Sequence, residues 1–233
     1  NVNTDWVYKE GANLSAFVVD GTNKYLKLQF DSFTHGELYA NNVPYYFSAD
    51  VKPGDRANHF AGFVFNYAQE NAWKENMFYE SNGTDGENCV SKSGIGVNIF
   101  PNMIIVYVVC YDRDTASLKR IEYRHLLSKN IGDSFHNFKA IDNADGTIRF
   151  LLDNELIAYV EYSNPGSMPA SAKNHFEYYY RTAKIFNPDG EMEASASDAL
   201  IAYIKSLAAG SRAREIYLDN LKFASLGSVA PSI

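Results

Sequence analysis

Side chains able to do chemistry are spread thinly along this chain of 233 residues. Five histidines, His35, His59, His125, His136 and His175, show no HxH, HExxH or cysteine-linked spacing. Neither a transition-metal site nor histidine-based catalysis has a motif here. Gly94-Ile95-Gly96 reads as strand entry with β-branched neighbours, not as a phosphate-cradling GxGxxG loop. Asp142-Asn143-Ala144-Asp145-Gly146 has acids, but at the wrong spacing for an EF-hand, and reads as a turn. Glu191-Met192-Glu193 alternates two acids beside the Pro188-Asp189-Gly190 turn and reads as an exposed acidic loop.

Two groups suit the recognition of polyols. Trp73 stands in the polar run Ala68–Glu75, where an aromatic ring must either plug one end of the core or meet a ligand. Sugar rings stack their C–H faces on Trp and Tyr, while amides and carboxylates take the hydroxyls. Asn66, Asn76 and Glu80 form the second group with Glu177, Tyr179 and Arg181, provided their strands share one sheet. An arginine beside carboxylates and tyrosine gives charge-assisted hydrogen bonds. The plainer reading is a solvated face with ordinary ion pairs. Glu80 and Glu177 are also the two acids available for a glycosidase pair, which needs carboxyls roughly 5–9.5 Å apart.

Composition narrows the classes. Aromatics are 15% of the chain, with 17 Tyr and 15 Phe against 2 Trp, a bias that favours strands. The net charge is −7 and no basic run exceeds Lys119-Arg120, which excludes a phosphate-backbone partner. No apolar stretch approaches the roughly 20 residues of a membrane-spanning helix. The opening Asn1-Val2-Asn3-Thr4 reads as a mature terminus or an excised fragment. Cys89 and Cys110 either pair or remain two buried thiols. If Phe100 faces Met103 in a hairpin, Cys110 faces Ser93, about four residues from Cys89 and too far for a bridge without a bend.

The elements that must position these residues are mostly strands. Asp133 to Tyr162 reads as three strands joined by the Asp142–Gly146 and Asp153-Asn154 turns. Further strands are expected at Trp6, 16–19, 25–30, 45–51, 60–67, 76–81, 94–100, 103–111, 175–181 and 215–223, with 81–93 as a loop. Residues 118–124 fit a strand or a helix, and neighbouring strands favour the former. A single helix is predicted over Asp198–Ala209, with Ser197 as N-cap, Gly210 as C-terminal stop and a stripe of Leu200, Ile201, Ile204, Leu207 and Ala208. Residues 1–226 then form one β-sandwich domain, and 227–233 a linker-like tail.

The order YYFSADV, FAGFVFNY, GIGVNIF with MIIVYVV, SFHNFKA, TIRFLLDNELIAYV and IYLDNLKF resembles concanavalin A-like jelly rolls, in particular the laminin-G-like type of bacterial extracellular proteins. Phe135-His136 stands where many such domains carry an aromatic followed by His, and Asp153-Asn154 where they carry an Asp-Gly turn. The resemblance implies an all-β fold: a two-sheet antiparallel jelly-roll sandwich with one inserted amphipathic helix. It also implies a secreted or cell-surface domain that binds a polysaccharide or other glycan without catalysis, within a larger chain. The group's ExDxxE catalytic signature is not matched. A glycoside hydrolase and a protein-binding adhesion domain are the alternatives. In many related modules a closing-strand acid holds a structural calcium near the N-terminal strand. Asp219 is its counterpart here, with Glu10 or Asp20 on the other side.

Overall fold

The computed structural model describes residues 7–9, 15–20, 23–28, 33–41, 43–54, 56–57, 59–67, 93–166, 179–202, 204–212 and 216–226. Its strands, in chain order, are β1 (Val7–Lys9), β2 (Ser15–Asp20), β3 (Asn23–Leu28), β4 (Phe33–Asn41), β5 (Tyr45–Lys52) and β6 (Phe60–Phe65). Next come β7 (Ile95–Ile99), β8 (Met103–Asp112), β9 (Ser117–Leu126), β10 (His136–Asp142), β11 (Thr147–Leu152) and β12 (Glu155–Gly166). The last are β13 (Tyr179–Phe186), β14 (Met192–Ala196), β15 (Ile201–Ala202), β16 (Ile204–Arg212) and β17 (Ile216–Ser225). Seven strands form one antiparallel sheet in the order β1-β4-β16-β6-β7-β8-β9. The other sheet has ten: β14-β13-β12-β11-β10-β5-β17-β3-β2, plus β15 paired to β13. The expected strands around Trp6 and at 76–81, the loop 81–93 and the tail 227–233 lie largely or wholly outside the described residues.

Period-2 burial explains the layers. Along β10 buried and half-buried residues alternate without a break from His136 to Asp142. Phe63 and Phe65 of the seven-stranded sheet meet Phe47, Phe138 and Phe150 of the ten-stranded one. The Phe63 and Phe138 rings stack at 4.9 Å, and Phe47 lies 5.1 Å from Phe63. Each such side chain contributes roughly 1.5–3 kcal/mol by burial. The β11–β12 turn places Asp153 at φ 50° and Asn154 at φ 70°, the left-handed pair that a two-residue hairpin needs. At Gly146, φ 89°, a Cβ would come 2.8 Å from the Tyr162 carbonyl oxygen, so this turn admits only glycine without a shift.

The hairpin register matches expectation. Ile99 faces Ile104 and Ile95 faces Val108, and the Val109 amide donates to the Gly94 carbonyl. Beyond Gly94, at φ 108°, the ladder ends, and Cys110 bridges Ala199 instead of the expected Ser93. Cys110 is a free, buried thiol that donates to the Lys119 carbonyl at 3.6 Å. Burial, above all, pushes it up to about 11. Cys89 lies outside the described residues. Residues 118–124 belong to β9, a full strand partner of β8.

The predicted helix Asp198–Ala209 is absent. Ala199 bridges Cys110, β15 pairs with Tyr179 and Tyr180, and β16 fills the slot between β4 and β6. The reason is tertiary. A helix here would leave facing edges of β4 and β6 unpaired in the interior, at a cost far above the few tenths of a kcal/mol per residue by which propensities differ. Small and apolar residues at 207–210 satisfied a helical stripe and a strand equally. Gly210 is therefore no helix stop; it faces Gly62 and Phe33 in the ladder.

The new register turns Lys205 inward. Its ammonium donates to Asp142 Oδ2 at 2.8 Å and to the Tyr162 hydroxyl at 2.9 Å, and both charged side chains are wholly inaccessible. Tyr162 donates to the same carboxylate at 2.7 Å. The rings of Tyr45, Tyr162 and Tyr180 surround the ammonium at 5.9, 5.1 and 5.9 Å from their centroids. Burial, then the charge of Asp142, pushes the Tyr45 and Tyr162 hydroxyls well above their usual range. One ion pair thus bolts the two sheets together.

Candidate functional site

Of the sequence-derived site residues, Trp73, Asn76, Glu80 and Glu177 lie outside the described residues. Tyr179 opens β13, its backbone opposite Ala202 and Gly166. Arg181 is half-buried on the same strand, and its carbonyl accepts the Ala199 amide at 2.6 Å. Asn66 follows β6 of the other sheet. The described members of the expected cluster therefore do not share a sheet. Asn66 is also fully buried, with φ 52°, and its amide donates to Asp142 at 3.3 Å. It serves the interior bolt, not a polar surface.

Glu191 and Glu193 are exposed, as expected, but at the start of an edge strand, β14. Both are held by the Asn187 amide at 3.1 and 2.8 Å. Asp219 faces Asp50 across β17 and β5, and its carboxylate accepts the Asn220 amide at 2.7 Å. Glu10 lies outside the described residues, and Asp20 is described by its backbone alone. Among the described residues no three His, Cys, Asp or Glu side chains gather as a metal-ligand set.

The aromatic-His and Asp-turn positions prove to be one unit. His136 Nδ1 bonds Asp153 Oδ2 at 2.6 Å, and His136 Nε2 bonds the Ser134 hydroxyl at 2.8 Å. Asp153 also accepts the Asn137 amide at 2.9 Å and donates its own to the Asn137 carbonyl at 2.8 Å. These bonds hold Asp153 below the usual carboxylate range although partial burial, the largest single influence, opposes them. The result is a latch that pins the β11–β12 turn to the start of β10. Beside it a cleft of about 500 Å³ runs between Leu127, Lys129, Ile131, Leu152 and Glu155. Among its described lining residues the one aromatic ring is the imidazole of His125.

The outer face of the seven-stranded sheet is different. Core-facing positions are Phe63 and Phe65, Val97 and Ile99, and Val106 and Val108, so alternate residues look outward. One outward row reads Gly210, Gly62, Asn98, Ile105, Arg124. The next reads Ala208, Val64, Gly96, Tyr107, Glu122. Most of these outward positions are themselves covered: Phe60, Val64, Phe100, Ile105, Tyr107 and Val109 form a second buried cluster with Leu200 and Ala202, and only the β9 edge of the face is open. Tyr107 lies over Gly96 so closely that a Cβ there would sit 1.9 Å from its ring. Arg120 stacks on the Tyr107 ring at 5.2 Å. Glu122 binds Arg120 at 2.8 Å and Arg124 at 2.6 Å, which makes an alternating cation–anion–cation edge. At the floor Asn98 is 1% exposed and its carbonyl oxygen finds no donor. An unsatisfied buried acceptor costs about 1–3 kcal/mol.

Sequence reasoning passed over this face because its residues are separated by up to 148 positions, from Gly62 to Gly210. A detectable signal was present in the alternation of Arg120, Glu122 and Arg124.

No protein-family model matches the sequence, and no curated protein matches it. Solved structures do. The catalytic domain of PdAgaC aligns at TM-score 0.50 with 8% identity, over 97% of this chain and 85% of that one. The carbohydrate-binding module CBM66 from Bacillus subtilis aligns at TM-score 0.44 with 11% identity, over 95% and 96%. Porphyranase B from Zobellia galactanivorans aligns at 0.43 with 9% identity, over 95% and 87%. The fold is that of a concanavalin A-like jelly-roll sandwich.

Proposed function

We propose that this chain is a secreted or cell-surface glycan-binding domain whose ligand meets the β9 edge of the seven-stranded sheet. The partly exposed row Arg120, Glu122 and Arg124, joined by ion pairs of 2.8 and 2.6 Å, is the observation that carries this reading. Alternating guanidinium and carboxylate groups are the parts that polyol recognition uses for hydroxyls. Glu122 is the one carboxylate described among the outward positions of β6–β9, which favours binding over a two-acid glycosidase. Of the solved structures it resembles, one is a carbohydrate-binding module and another a porphyranase. A calcium at Asp219 remains part of the proposal as a fold staple, not as part of the site.

Affinity electrophoresis through gels holding neutral polysaccharides tests the proposal. Retardation by at least one of them is expected, lost on Glu122→Ala or Arg124→Ala with an unchanged far-UV spectrum. Retardation untouched by both substitutions rules out this edge. Release of reducing sugar during the run would favour the hydrolase.

A further inference from the structure

The interior of the sandwich holds a cluster of side chains that glycan binding at the β9 edge does not use. Asp142 Oδ2 accepts from the Lys205 ammonium at 2.8 Å, the Tyr162 hydroxyl at 2.7 Å and the Asn66 side-chain amide at 3.3 Å. The other carboxylate oxygen accepts the Ala144 amide at 2.7 Å. One oxygen atom thus touches both the nitrogen of a primary amine and the nitrogen of a primary amide. Lys205, Asp142 and Asn66 are each 0% exposed, and the rings of Tyr45, Tyr162 and Tyr180 close around the ammonium.

Asn66 is held in this place at a cost. Its φ is 52°, and its Oδ1 is sealed without a hydrogen-bond partner. Neither feature serves stability, and such features gather where a residue is positioned for something other than packing. The backbone fixes it there: its amide donates to the Ser206 carbonyl at 2.9 Å, and its carbonyl accepts the Ala202 amide at 2.8 Å. Ser206 directly follows Lys205, so the ladder itself brings the amine and the amide to the same carboxylate.

This is the arrangement that acyl transfer between side chains needs. A desolvated amine is a good nucleophile, fixed neighbours react at high effective concentration, and a sealed site keeps hydrolysis out. We propose that Lys205 and Asn66 condense in the folded chain into an isopeptide bond, with Asp142 as the proton carrier. Asp142 takes a proton from the Lys205 ammonium, and the freed amine attacks Asn66 Cγ. The bond between Lys205 Nζ and Asn66 Cγ forms, and the bond between Cγ and Nδ2 breaks. Lys205 gives up two protons in all. Both pass by way of Asp142 to the departing nitrogen, which leaves as ammonium, and Asp142 is a carboxylate again. No oxidant or cofactor enters. The product is a covalent tie between β16 and the residue after β6, and the ion pair of Lys205 with Asp142 is its unreacted precursor.

Intact-mass spectrometry of the whole chain, unfolded before injection, tests it. The expected mass is below the sequence mass by one ammonia. Trypsin should then release a branched peptide that joins residues 57–74 to 185–212 and stays uncut after Lys205, because an acylated lysine is no trypsin site. Lys205→Met and Asp142→Asn should each abolish the branched peptide while keeping the wild-type far-UV spectrum. The wild-type mass decides the bond whether or not either variant folds. A full sequence mass would overturn it. Loss of one water instead would put the bond at Asp142 and overturn the part given to Asn66. Ammonia loss confined to another peptide, as from a succinimide at Asn82-Gly83, would overturn the bond equally. The same branched peptide from folded Asp142→Asn would overturn the proton carrier.

Discussion

Asp142–Lys205 and His136–Asp153 are both hydrogen-bonded carboxylate pairs that tie distant segments together, yet their surroundings make them opposites. Asp142 and Lys205 are sealed between the sheets with no access to water, whereas the side chain of Asp153 is 48% exposed. A broken interior pair strands a charge in a low dielectric. A broken rim pair leaves a carboxylate that water can solvate at once. Similar distances, 2.8 and 2.6 Å, therefore predict very different energetic consequences.

The sharpest way to break this comparison is Lys205→Ala. Loss of about 3–5 kcal/mol is expected, read as a shift in equilibrium urea unfolding. The double substitution Lys205→Met with Asp142→Leu should recover most of it, because the stranded charge is then gone. A double variant no more stable than the single one would mean that the network of Tyr162 and Asn66, not the pair, holds the sheets.

At the rim, His136→Ala should cost less, about 1–2 kcal/mol, mostly for the buried imidazole and its two hydrogen bonds. Asp153→Asn should cost under about 1 kcal/mol, since exposure screens the pair. Its pH dependence has a definite sign. The folded Asp153 carboxyl lies below its unfolded value of about 3.9, so its contribution is full above that value. As pH falls through the folded value the contribution disappears. The stability gap between wild type and Asp153→Asn should close below about pH 4, and a gap that widened there would contradict the latch.

The smallest effect concerns Ser134. Its hydroxyl, His136 and Asp153 stand in the order nucleophile, base and orienting acid. As a latch, however, Ser134→Ala should change stability by no more than about 0.5 kcal/mol and alter no activity. Hydrolysis of p-nitrophenyl acetate by the wild type, abolished by Ser134→Ala, would turn the latch into a reaction centre.

Much of the scaffold was readable from local pattern. The β10–β12 meander and the β7–β8 hairpin follow from period-2 burial and from turn residues that tolerate left-handed backbone. Phe135-His136 and Asp153-Asn154 stood out as separate marks, and the fold shows them to be one latch. The helix failed because residues 198–209 carry both periodicities, and only the vacancy between β4 and β6 decides between them. Asn66 failed for a related reason: a polar residue ending an apolar strand looks surface-bound until Asp142, 76 positions away, arrives beside it.

The sequence by itself determined which residues alternate and where the chain turns, because those depend on neighbours two to five positions apart. Tertiary structure alone decided the pairing of β16, the interior placement of Lys205, and the gathering of Asn66 with Asp142. These depend on which strands lie about 4.8 Å apart, a contact set by the packing of the whole sandwich and not by any local run.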